Sequence, residues 1–169
     1  TRDRIRFHVG TDEVIARVIL LEKEKLPPGD SMLAQFVLET PTAAVWRDRF
    51  IIRTFSPLNT IGGGEVLDVD PPRHKRFDAA ALAGIRRFEG ALADAVGQTV
   101  RKKGGRSSAA AEISMRLCAR LDLVRDACAA LAAAGTVRRI GAGPGERFVS
   151  AEAWRTAEEK ALKAVKKYF

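Results

Sequence analysis

Hydrophobic periodicity changes once along this chain, near Arg76, and that change forbids a single fold class for the whole. Upstream, Ile5, Phe7 and Val9 interleave with Arg4, Arg6 and His8, the period of a strand with one buried and one solvated face. Downstream, apolar residues recur every three or four positions through alanine-rich sequence, the period of amphipathic helices. Charge shifts at the same place. Residues 1–76 carry a net charge of +1 and residues 77–169 carry +7 of the total +8. The domain boundary is therefore placed at Arg76, giving an all-β domain over 1–76, an α+β domain over 77–150 and a separate helix over 151–169.

Within the first domain, Val14 to Leu21 reads as a second, nearly continuous apolar strand, and Leu26-Pro27-Pro28-Gly29-Asp30 supplies turn chemistry. Met32 to Glu39 and Asp48 to Arg53 add two more strands. The three glycines Gly62 to Gly64 predict a sharp turn or bulge, followed by a strand from Glu65 to Val69 that Pro71 and Pro72 stop. Several short antiparallel strands make a barrel or a sandwich, and closure would remove the edges that invite aggregation. The pattern alone does not choose between the two.

In the second domain, Leu82, Ile85, Phe88, Leu92, Val96 and Val100 define a helix that ends near Lys103, with Gly84, Gly90 and Gly97 as weak points. Ser107 or Ser108 is expected to cap a second helix through Arg120, and Asp122 a third through Ala134. Thr136 to Ile140 and Arg147 to Val149, joined by Gly141 to Gly145, read as a two-stranded ribbon. Three helices and a ribbon are the winged-helix order. A fourth amphipathic helix begins near Ser150 with the stripe Trp154, Ala157, Ala161, Val165 and Tyr168 to Phe169, which needs a partner surface. With Thr1 standing directly before a strand, the chain reads as an internal piece of a longer protein.

Chemistry for catalysis is not evident. No GxxxxGK[ST] loop occurs to cradle phosphates on backbone N–H groups, and Asn59, the sole asparagine, precedes Thr60, so no NKxD motif exists. His8 and His74 lie near no serine or cysteine arrangement suited to nucleophilic attack. Cys118 and Cys128 fall at apolar positions of helical segments, outside CxxC spacing, and are expected to be reduced core cysteines rather than metal ligands. No apolar run approaches the roughly 20 residues a membrane span requires, so the chain is expected to be soluble and cytoplasmic. The fragment is read as non-enzymatic, with no cofactor or metal of its own.

Binding is the better-supported class, since clustered Lys and Arg neutralise phosphates and release condensed counterions. The candidates are Arg73, His74, Lys75 and Arg76 at the end of the first domain, and Arg138, Arg139 and Arg147 flanking the ribbon. Arg101 to Lys103 suit a helix C-terminus, and Lys160, Lys163, Lys166 and Lys167 suit a solvated helix face. Base readout by a DNA-binding regulator would want Arg, Lys, Asn or Gln along the third helix. After Asp122 that helix offers only Arg125 and Asp126.

In order along residues 1–76 stand RFHVGT, AQFVLE, DRFIIR, SPLNTIGGGEVLD and RHKR. This series resembles the third domain of selenocysteine-specific elongation factors of the SelB type, with His8, Gln35, Arg49, Ser56, Gly62 and His74 at matching places. Arg47 departs from it, standing where the family often has a small residue. The resemblance implies a small antiparallel barrel, then the first of several tandem winged helices, with the helix over 151–169 opening a second. It also implies a parent GTPase, using GTP and Mg, that brings selenocysteyl-tRNA to the ribosome at recoded UGA. In that family the barrel helps hold the tRNA, and distal winged helices, absent here, recognise the selenocysteine insertion hairpin of the messenger. The readings that compete are a fragment of another translation GTPase and a winged-helix DNA-binding regulator.

Overall fold

The computed structural model describes residues 4–166 and divides them into two compact units, one through Arg86 and the other from Arg87. In the first unit, strands β1 (Arg4–Val9), β2 (Asp12–Leu20), β3 (Ala34–Leu38), β4 (Arg49–Thr54) and β5 (Thr60–Glu65) form one antiparallel sheet in the order β3-β2-β1-β4-β5. The sheet curls into a half-barrel whose inner side is the core. Alternation along β1 sends Ile5, Phe7 and Val9 inward, where they meet Val14 and Ala16 of β2 and are flanked by Phe36 and Phe50. The three phenylalanine rings close on one another, Phe7 lying 4.8 Å from Phe50 and 5.1 Å from Phe36 between centroids. Helix α1 (Ala79–Arg86) completes this unit, started by Asp78, whose carboxylate accepts the Ala80 and Ala81 N–H groups. Arg86 returns to Glu22, which also accepts the Leu33 N–H at 2.8 Å. Partial burial pushes the Glu22 carboxyl up, but these two donors outweigh it and hold it below the ordinary glutamate range.

The glycines do not form the expected turn. Gly62, Gly63 and Gly64 lie inside β5, paired with Ile52, Ile51 and Phe50, and the irregularity is a bulge in the register beside Ile52 and Arg53. Their role is close approach, since a Cβ on Gly63 would stand 2.6 Å from the Phe50 carbonyl oxygen and one on Gly64 2.8 Å from the Phe50 ring. Regular strand pairing ends at Glu65; Val66 adds one backbone pair, with Arg47 and Asp48, and the expected strand through Val69 is irregular chain. At Arg47 the backbone is left-handed, φ 73°, which explains why a small residue suits that place.

The second unit is the winged helix: α2 (Leu92–Lys102), α3 (Ala110–Leu117), α4 (Leu121–Ala133), β6 (Val137–Ile140), β7 (Arg147–Ser150) and α5 (Ala151–Lys166). The long first helix breaks at Gly90, where a short 3₁₀ turn ends and the Ala91 N–H is taken by Asp94 at 3.0 Å. Val96, Val100, Ile113, Leu117, Val124 and Phe148 make its core. The serine caps are not used as expected, because Ser108 exchanges two backbone hydrogen bonds with Phe148, adding a bridge to the ribbon, and α3 starts at Ala110 without a side-chain cap. Likewise α4 starts one residue before Asp122, whose carboxylate pairs with Arg120. Of the α5 stripe, Tyr168 and Phe169 lie outside the described residues.

Cys118 is not a core residue. It ends α3 in the left-handed region, φ 47°, and is exposed, whereas Cys128 is buried. Burial, with the Glu146 carboxylate adding to it, pushes the Cys128 thiol up to about 11. At pH 8 only about one Cys128 in a thousand is then a thiolate. Iodoacetamide at pH 8 is expected to add one group to the native chain, at Cys118, and two in guanidinium; equal rates at both cysteines, read by mass spectrometry, would contradict this packing.

Candidate nucleic-acid interface

Strand alternation that sends Phe7 inward sends Arg4, Arg6 and His8 outward, and the register decides what stands beside them. Arg4 faces Arg17 of β2, and Arg6 faces Arg53 of β4. Like charges directly opposite on neighbouring strands destabilise a sheet. Carboxylates relieve part of this, Glu39 meeting Arg4 at 2.6 Å and Glu13 meeting Arg6. The Arg6 guanidinium holds the Glu13 carboxyl below its usual range. The guanidinium groups of Arg4 and Arg6 also sit 5.1 and 5.3 Å from the centre of the Phe55 ring, which is itself 41% exposed. Arg17 is exposed, and the buried Nε of Arg53 and Nε2 of His8 lack a hydrogen-bond partner among the described residues. The outer face is thus cationic and incompletely neutralised. Sequence reading missed Arg4, Arg6, Arg17 and Arg53 as a group; alternation marks Arg4 and Arg6, but which residues stand opposite them is set by the register of two other strands, one of them far along the chain.

The basic segment after β5 crosses the same outer face. Phe36 and Leu38 pack on the core, so Gln35, the residue before Phe36, points outward with Val37. Its amide donates to the Pro72 carbonyl oxygen at 3.0 Å and accepts the His74 N–H at 3.1 Å. Arg76 is turned back, its Nε donating to the Leu20 carbonyl oxygen at 3.1 Å and its guanidinium lying 4.9 Å from the Phe77 ring centre. Arg73 and Lys75 are exposed, and neither makes a hydrogen bond or ion pair among the described residues. Of the four candidates here, two are therefore engaged by the fold and two present free charge.

At the ribbon, all three arginines have partners. Arg138 lies 5.0 Å from the Trp154 ring centre, and Arg139 meets Glu146 at 3.1 Å. Arg147 donates to both the hydroxyl and the carbonyl of Ser107 at 2.9 Å and to Glu112 at 2.8 Å. The exposed face of α4 carries Leu123, Arg125, Asp126, Ala129, Ala130 and Ala133, a surface with almost no groups for reading base edges. Among the described residues no three His, Cys, Asp or Glu side chains gather to hold a metal, and no helix is long and apolar enough to cross a membrane.

Residues 1–73 match the family model described as selenocysteine-specific elongation factor, beta-barrel domain. Among curated proteins, the selenocysteine-specific elongation factor of Desulfomicrobium baculatum is 37% identical over 67 residues, 40% of this chain and 11% of that protein. Its namesake in Escherichia coli K12 is 29% identical over 101 residues, 60% and 15%, and that of Haemophilus influenzae 27% over 75 residues, 44% and 12%. The matched region thus covers only 11 to 15% of the length of these relatives.

Proposed function

We propose, from the match of residues 1–73 to the beta-barrel domain of selenocysteine-specific elongation factors, that this chain is the tRNA-holding part of such a factor. The parent would carry selenocysteyl-tRNA to the ribosome and hydrolyse GTP, with Mg, through a domain outside this sequence. The winged helix acts here as a spacer between the barrel and distal elements that grip the messenger hairpin. Catalysis has no part in this unit's work.

The observation that carries the RNA-holding part is the outer sheet face, where Arg4 opposes Arg17 and Arg6 opposes Arg53. Four arginines against two carboxylates, Glu39 and Glu13, leave this face net positive; such a face fits a phosphate backbone, and contacts of this kind read RNA by shape rather than by base. The spacer part is supported by the ribbon arginines, each of which is occupied by a side chain or backbone group of its own unit.

Titration of the whole chain with a transcribed selenocysteine tRNA at several salt concentrations tests both parts. Binding is expected to be weak and to fall steeply with salt. Arg4→Ala with Arg17→Ala should weaken it about tenfold at low salt and flatten the salt slope by up to about 2, at roughly 0.7–0.9 per phosphate lost. Replacing Arg138, Arg139 and Arg147 together by alanine should change affinity less than about threefold. Absence of salt-dependent binding would overturn the RNA-holding reading, and loss of binding in the ribbon variant alone would move the contact to the winged helix.

A further inference from the structure

An uncharged residue decides how the charged ones after β5 are displayed. Residues 71–76 form no strand and no helix until the turn at Arg76, so nothing in their own secondary structure fixes where Arg73 and Lys75 point. A primary amide carries a carbonyl acceptor and N–H donors on one rigid group, so it can pair with a peptide carbonyl and a peptide N–H at once. Gln35 uses both, donating to the Pro72 carbonyl and accepting the His74 N–H. The two grips lie on either side of Arg73 and leave it, with Lys75, exposed. Further along, Arg76 is anchored to the Leu20 carbonyl and Phe77 N–H to the Leu21 carbonyl at 2.8 Å. The segment is thus fastened at both ends of a three-residue display, in which Arg73 and Lys75 are exposed and His74 between them is half-buried.

We infer that Gln35 is a positioning residue for a phosphate-binding pair, Arg73 and Lys75, aligning them on the same outer face as Arg17. This rests on the RNA-holding reading above. A basic segment left loose would lose conformational freedom on meeting RNA, and that cost would be subtracted from its affinity. Held by Gln35, its backbone is already ordered, and only the Arg73 and Lys75 side chains have freedom left to lose. Gln35 touches no RNA in this scheme; it acts through the backbone of residues 72 and 74.

The test uses the whole chain, the same tRNA and four proteins: wild type, Gln35→Met, the double variant Arg73→Ala/Lys75→Ala, and the triple variant combining them. Methionine keeps the length and apolar stem of glutamine and removes both hydrogen bonds. Gln35→Met is expected to weaken binding about fivefold, the double variant about tenfold, and the triple variant no more than about twofold beyond the double, since a positioning residue has no effect once its clients are gone. Hydrogen exchange supplies a readout independent of RNA. The His74 amide should exchange at least about tenfold faster in Gln35→Met, with the Phe7 amide unchanged as the measure of an intact sheet.

If the double variant binds as wild type does, Arg73 and Lys75 hold no phosphate and the inference falls with that part of the reading. If the double variant is weakened while Gln35→Met is not, or if the losses multiply in the triple variant, RNA holding stands and the positioning role is overturned. An unchanged His74 exchange rate in Gln35→Met overturns it as well.

Discussion

Phe7→Ala is expected to unfold the strand unit at room temperature or leave it barely folded. The ring is 4% exposed and sits between those of Phe36 and Phe50 at 5.1 and 4.8 Å, so its removal opens a void that neither neighbour can fill without leaving the other. Phe36 and Phe50 are also in contact, 5.1 Å apart and edge-on, and each is held by its own strand. Truncating a buried phenylalanine costs about 3–5 kcal/mol, the transfer loss plus the cavity. A unit of this size has about 5–10 kcal/mol in hand. Because the chain has two units, a single unfolding curve would mix them. Trp46 belongs to the first unit and Trp154 to the second, so urea unfolding followed by Trp46 fluorescence in a Trp154→Phe background isolates the strand unit. A midpoint within experimental error of the Phe7-containing protein would show that the aromatic trio is not the core.

Much of this packing is legible in the sequence. Alternation placed Ile5, Phe7 and Val9 on one face, and all three are buried; the helical stripe through Val96 and Val100 marked residues that are fully enclosed. Both signals are local, because a period of two or of 3.6 is set by a strand's or a helix's own geometry. The failures share the opposite cause. Ser107 and Ser108 have the chemistry of helix caps, but Phe148 and Arg147, some 40 residues away in sequence, take up their polar groups first. Cys118 lies on an apolar period, but the helix ends there in a left-handed turn and exposes it.

The candidate site divides in the same way. Charge runs are visible in any sequence, and they located Arg73 to Arg76 and the ribbon arginines. Occupancy is not visible. Arg76 spends its guanidinium on Leu20, and Arg147 on Ser107 and Glu112, contacts that exist only once distant segments meet. The outer-face arginines show the converse, since no two of Arg4, Arg17 and Arg53 are neighbours in sequence, and only the pairing of β1 with β2 and β4 assembles them.

The glycines of β5 carry the second large effect, and it separates two meanings of glycine. If the run were a turn, all three positions would need backbone freedom and each substitution would be costly. In the strand, cost follows distance. A methyl group on Gly63 would lie 2.6 Å from the Phe50 carbonyl oxygen, a backbone atom of the neighbouring strand, so only a displacement of β5 from β4 could admit it. On Gly64 the obstacle is the Phe50 ring at 2.8 Å, a side chain, but one pinned against Phe7 and Phe36. On Gly62 the nearest atom is Ile52 Cδ1 at 3.5 Å, an ordinary contact. Gly63→Ala is therefore expected to destabilise the strand unit by about 3 kcal/mol and Gly64→Ala by about 1–3 kcal/mol, as overpacking does. Gly62→Ala should stay within about 0.5 kcal/mol, since it also removes freedom from the unfolded chain. The Trp46-monitored midpoints of the three variants check the order. Equal losses at all three positions would return the run to a turn, whereas a loss confined to Gly63 and Gly64 means that the glycines are there to bring β5 against Phe50, the residue that closes the core from the β4 side.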